Sequence, residues 1–322
     1  MNLIKHYKTK QLLLLLFKLS IVVAAFYFIY IKLTENKNLQ FSAFITFLDK
    51  YESFSFKTIT FLILLSFFNW FFEISKWKNL VNSIKTISLI EATKQSLGGL
   101  TASLITPNRI GEYGAKAMYY TKPFRTKIVL LNLLGNLAQM AITTLLGCVG
   151  LLFFINRYSI KINYYTVLQY SVIVLLIGLL LLFLTKQNHF KIKGFSFRSV
   201  IIFLKSISLK THLTNILYSL LRYILFSSQF YYLLIVFRIE ISYFEAMTVI
   251  TSMYVLASII PAISIFDFVI KGSIAVFLFS FLNVNELTIL TITTLMWLFN
   301  FVLPSIVGSY FVINFKLPKP VE

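Results

Sequence analysis

One cysteine in 322 residues, Cys148, excludes an intrachain disulfide and any cysteine-built metal site. Histidine is almost as scarce: His6, His189 and His212 lie in polar stretches with no ligand spacing and no carboxylate close in sequence. Neither a metal centre nor a histidine base is therefore expected. The chain also lacks a P-loop, a dinucleotide fingerprint and a nucleophile elbow, so no cofactor, no ATP-driven step and no catalytic residue is expected. Acidic residues are few, 11 against 30 lysines and arginines, for a net charge of +19. In a soluble protein that balance would suggest nucleic acid. Here the basic residues cluster at the ends of apolar runs, which reads as membrane topology instead.

What the chain has is hydrophobicity, 58% of residues against only 13% charged, where soluble proteins carry about 25% charged residues. Several runs reach the roughly 20 residues a helix needs to cross a hydrocarbon core. The fold class expected is an all-α polytopic membrane protein, a single integral membrane domain over residues 1–322. Full spans are expected at Leu12–Ile31, Thr58–Phe72, Ile128–Ile155, Tyr164–Thr185, Leu213–Phe237 and Leu287–Phe315. The second is short and extends to Trp77 if Trp70 and Trp77 mark an interface. The first follows Lys5, Lys8 and Lys10 and resembles a signal peptide, but it is long and no small-residue cleavage site follows, so a retained helix is expected.

Between these spans lie two apolar segments broken by proline, residues 91–120 and 245–273. Each opens on Glu-Ala and reaches a proline 16 residues later, Glu91 to Pro107 and Glu245 to Pro261. Each then carries an acid with a lysine four residues on, Glu112 with Lys116 and Asp267 with Lys271, the second acid one residue late. If each segment dips in and returns, the basic residues fall seventeen on one side and seven on the other. The positive side is cytoplasmic, so both termini are expected in the cytoplasm of a cell (inner) membrane protein. Three crossings separate the copies, which makes them an inverted repeat of the kind that builds transporter binding sites near the midplane. Residues 186–212 form a basic cytoplasmic loop, read as the largest positive-inside loop, with anionic lipid as a second reading. Residues 32–57 read as an amphipathic interfacial stretch.

Residues 91–105 span about 22 Å as helix, too short to reach the far side. Pro107 removes a donor and restrains Thr106, so Pro107, Gly111 and Pro261 are expected hinges. Gly98 and Gly99 are expected to admit a close neighbour. Irregular backbone at this depth must border protein or a wet cavity. Ionisable groups there mark a pathway or site, or neutralise one another and hold the bend. Arg109 presents a fork of donors suited to phosphate or carboxylate. Candidate binding residues are Arg109, Glu112, Lys116, Asp267, Lys271 and Arg222. Arg222, with Gln229 two turns below, either faces the same cavity or snorkels to an interface.

The run Thr106-Pro107-Asn108-Arg109-Ile110-Gly111-Glu112, after a Glu-Ala helix and with a second broken segment near the C-terminus, resembles the membrane region of the lysylphosphatidylglycerol synthase/flippase family. The resemblance covers about Leu12 to Phe315 and implies an eight-segment domain that moves a lipid between leaflets, in some members an aminoacylated phosphatidylglycerol. Members that synthesise the lipid carry a soluble transferase domain after the membrane part. This chain stops at Glu322, so synthase activity is not expected. Its second segment also departs from the family's glycine-rich pattern, with AISIFDF after Pro261.

The function expected is therefore a lipid transporter or flippase whose partners are membrane lipids, anionic or aminoacylated phospholipid headgroups. The alternatives are a membrane-embedded transferase with Glu112 or Asp267 as base, and a non-transporting assembly partner.

Overall fold

The computed structural model describes residues 55–104, 106, 109–160, 197–260 and 264–318, with isolated helical positions between Leu16 and Tyr27. Side chains of residues 197–199 and 264–269 fall outside that description. The expected span Tyr164–Thr185, most of Leu12–Ile31, the stretch 32–54, and Pro107 and Pro261 lie outside the described residues.

Among the described residues the secondary structure is helical throughout. The order is α1 (Phe56–Val81), α2 (Leu89–Ser103), α3 (Ile110–Met118), α4 (Lys122–Arg157), α5 (Phe197–Ser206), α6 (Leu209–Val236), α7 (Tyr243–Ile259), α8 (Ser264–Ser280), α9 (Glu286–Trp297) and α10 (Leu303–Ile313). A π-helical turn, Leu298–Val302, joins the last two. Among the described residues four units are long and apolar enough to cross a membrane: α1, α4, α6 and the continuous stretch Glu286–Ile313.

The starts of these helices are written in serine. Ser55, Ser88, Ser208 and Ser242 each accept a hydrogen bond from the backbone N–H three residues on, which satisfies an orphan donor of the first turn. At Ser88 the exchange is reciprocal, because the Glu91 carboxylate accepts from the Ser88 N–H at 2.7 Å. Glu245 also folds back on its cap, but there the Ser242 hydroxyl, not the backbone N–H, donates to the carboxylate at 2.9 Å. The repeated Glu-Ala is thus a helix-start signal, and Ala92 and Ala246 are both fully buried beneath it.

Each broken segment is a helical hairpin. In the first, α3 returns along α2 until the Tyr119 hydroxyl donates to the Lys94 carbonyl (3.2 Å) and the Tyr120 hydroxyl to Gln95 Oε1 (2.9 Å). Its base adjoins the N-terminus of α4 at Thr121. In the second, Glu245 at the start of α7 meets Arg157 at the C-terminal end of α4 (3.3 Å). Just beyond the end of α8, Phe281 packs on Phe154 and Tyr158 of the same region. The two hairpin bases therefore sit at opposite ends of α4, which at 36 residues is about 54 Å long.

Two expectations about the second span are corrected. It does not stop at Phe72 but runs on to Val81, carrying Glu73 and Lys76 inside, because the two neutralise each other at 2.7 Å. Lys76, counted above on the positive loop side, is 2% exposed, leaving sixteen on that side. Trp77 is no interfacial anchor either: it is 1% exposed, with its indole N–H on Gln95 Oε1 at 2.8 Å.

Candidate functional site

The tips of both hairpins meet the wall of one cavity of about 580 Å³. Arg109 comes from the first tip, and Ser258, Ile259 and Ile260 from the second, with Lys271 from the returning arm α8. The span α1 contributes Asn69 and Trp70, α4 contributes Gln139 and Thr143, and α6 contributes Arg222, Tyr223 and Phe226. Asn300 and Phe301 of the π turn complete it.

The turn that delivers Arg109 is set by local chemistry. Arg109 itself takes the left-handed conformation (φ 57°) and stands at the N-cap position of α3. The Thr106 hydroxyl donates to the Ser103 carbonyl and accepts the Gly111 N–H (2.8 Å), closing the connection. Gly111 lies so close to the Ala102 carbonyl that a Cβ there would overlap it. The expected hinge role of Gly111 is thus a demand for close approach. Left-handed backbone in a non-glycine residue is uncommon and persists where surrounding structure holds it.

Behind the wall stand two buried carboxylates, each shared by two cations. Glu112 accepts Lys116 Nζ at 2.7 Å on one oxygen and Arg109 Nη2 at 3.1 Å on the other. Lys116, 1% exposed, also donates to Asn132 Oδ1 (2.7 Å) and lies 4.2 Å from the centre of the Trp77 ring. Glu73 is shared by Lys76 and Arg222. Arg222 then reaches Asn69 Oδ1 (3.2 Å) and Gln139 Oε1 (3.1 Å), both residues of the cavity wall.

Of the six candidate residues, the structure brings Arg109, Arg222 and Lys271 to the cavity. Arg222 does not snorkel outward. Glu112 and Lys116 are not on the wall: they are 4% and 1% exposed and stand behind Arg109, held inside by each other's charge. The side chain of Asp267 lies outside the described residues. Gln229 belongs to a buried amide chain, accepting from Asn300 Nδ2 (2.8 Å) and donating to the Leu62 carbonyl (3.1 Å). Phe301 is shared by both hairpins, its ring centre 6.0 Å from the Arg109 guanidinium and 5.8 Å from Lys271 Nζ, within the range at which a cation is attracted to an aromatic face.

Glu73, Asn69 and Asn300 were missed by the sequence reading. Asn300 sits where the helix widens into a π turn, a device frequent at functional sites. Pro304 has no N–H to offer the carbonyls before it. The Phe299 and Asn300 carbonyls instead accept the Ser66 hydroxyl and the Trp70 indole N–H (2.9 Å). The Glu73–Lys76 spacing inside an apolar run was the available signal. No group of three or more metal-binding side chains occurs among the described residues.

A bundle of apolar spans gripping two hairpins around a basic, partly aromatic cavity defines a multi-pass membrane protein with a polar interior site. Residues 15–308 match the family model described as lysylphosphatidylglycerol synthase TM region, and the chain belongs to that family. No curated protein matches it. The family relates this membrane protein to lipid.

Proposed function

We propose that the protein is a lipid transporter or flippase, and that the cavity between the two hairpin tips receives a phospholipid headgroup. The observation that carries this reading is the charge around the cavity. Among the described side chains, Arg109 and Arg222 on the wall, with Lys76 and Lys116 behind, stand against the carboxylates of Glu73 and Glu112. The surplus favours an anionic ligand. Arg109 is placed for it: Glu112 holds Nη2 at 3.1 Å, and the side chain is still 43% exposed toward the cavity it lines. A phosphate oxygen there would complete a charge-assisted, forked contact.

The opposed hairpins suit the same function. Bases at opposite ends of α4, with tips at one cavity, are what an inverted repeat produces, and such repeats expose one central site to either side in turn. In this reading the protein resides in the cell (inner) membrane with both termini cytoplasmic, and it transports without a catalytic step.

The test is headgroup crossing in proteoliposomes of phosphatidylglycerol. Wild type is expected to accelerate it, and Arg109→Ala and Arg222→Ala each to slow it at least tenfold. Failure of wild type to accelerate crossing for every phospholipid class tried would sink the transport reading. Mass spectrometry of the same liposomes with a labelled donor separates transport from transfer, since a transferase would leave a modified lipid.

A further inference from the structure

Next to the headgroup cavity, and sharing its wall at Trp70, lies a second hollow of about 460 Å³ between α1, α2 and α10. It is lined by apolar side chains, among them Ile63, Phe67, Leu97, Leu303 and Val307. Two hydroxyls reach it, and both are spent: Ser66 donates to the Phe299 carbonyl, and Thr93 donates to the Leu89 carbonyl at 2.9 Å. The Trp70 indole N–H is likewise turned to the Asn300 carbonyl. The hollow therefore offers a ligand no donor from these groups, only methyls and ring faces.

It is also open sideways. Ile63, Phe67, Leu303 and Val307 are 47%, 60%, 46% and 51% exposed, and they lie on helices that cross the membrane. On helices of that length and hydropathy, apolar side chains exposed at mid-helix suit hydrocarbon rather than water.

We infer that this groove is the seat of an acyl chain, and that Trp70 divides one lipid's two environments, headgroup in the basic cavity and tail in the groove. The inference rests on the headgroup reading above. Adjacency selects the occupant. A resident lipid with no link to the cavity would need only the outward-facing surface, whereas this groove runs inward to Trp70, which lines both hollows. The π turn supports the division, since Phe299 lines the groove while Asn300 and Phe301 line the cavity. A lipid held this way is recognised by its chain as well as by its phosphate, so the deacylated headgroup binds more weakly than the lipid.

The experiment uses the full chain in nanodiscs with phosphatidylglycerol bearing a diazirine late in one acyl chain. Photolabelling is expected on peptides containing Phe67 and Leu303, saturable and displaced by excess phosphatidylglycerol. Val307→Trp, which fills the groove from its open side, is expected to shift the preference for phosphatidylglycerol over glycerophosphoglycerol by about tenfold. Labelling that is not displaced, or that falls elsewhere, overturns the inference, as does an unchanged preference in Val307→Trp. Arg109→Ala separates the two readings. If it weakens both ligands while Val307→Trp changes nothing, the groove inference fails and the headgroup reading stands. If it weakens neither, the headgroup reading fails and takes the inference with it.

Discussion

Two buried carboxylates among the described residues shape the electrostatics of the interior, and neither is free to act alone. Glu73 and Glu112 each bind two cations within the bundle. Removing one partner of a buried pair leaves an uncompensated charge and costs about 3–5 kcal/mol. Glu73→Gln is therefore expected to lower the thermal unfolding temperature of the detergent-purified protein sharply, and Glu73→Gln with Lys76→Met to recover part of the loss. A double variant no better than the single one would show that Arg222, not Lys76, depends on Glu73. The Glu112–Lys116 pair was legible in the sequence because its partners are four residues apart, a spacing that places them on one helix face, whereas Arg109, read as left over for a ligand, also binds Glu112. The Glu73–Arg222 pair was not, since 149 positions separate its members and only packing of α1 against α6 joins them.

Elements follow the same division between local and distant causes. The first hairpin could be foreseen from its proline and glycine, and its start from Ser88 and Glu91. Its turn depends on Arg109 in the left-handed region and on Gly111 beneath Ala102, so Gly111→Ala is expected to abolish folding of the hairpin and reduce the yield of monodisperse protein. The π turn in the last span could not be foreseen, because its cause is shared among Pro304, Ser66 and Trp70 from two separate helices. Asn300→Leu removes the bonds to Asn69 and Gln229 together. At about 1 kcal/mol for each lost bond, and more for each buried group left unpaired, a fall of several degrees in unfolding temperature is expected, by the same thermal assay. An unchanged midpoint would mean that water replaces the amide.

At the scale of the molecule, composition alone announced a helical membrane protein, and the apolar runs located α4, α6 and the last span to within several residues but cut α1 short at Phe72, because Glu73 and Lys76 interrupt its hydrophobicity. The opposed entry of the hairpins was an expectation from spacing and from the count of crossings, and the structure sets their bases at opposite ends of α4. Because the chain holds one cysteine, a Cys148→Ser background suits labelling from either side. Lys85→Cys, beside the first hairpin base, and Glu240→Cys, beside the second, both at exposed positions, are expected to react with an impermeant maleimide from opposite faces of a sealed vesicle. Reaction from the same face would remove the inverted arrangement.

Two glycines give this arrangement a mechanical reading. Gly308 of α10 presses on the Leu97 carbonyl and the Thr101 hydroxyl of α2, and Gly150 of α4 presses on Thr251 of α7, in both cases too closely for any side chain. The first hairpin is thereby seated on the last span and the second on the long central helix, and each is cross-braced, because α3 also packs on α4 and α8 also packs on α9. Arg222 adds a third brace beside the same cavity, tying α6 to Glu73 and Asn69 of α1 and to Gln139 of α4.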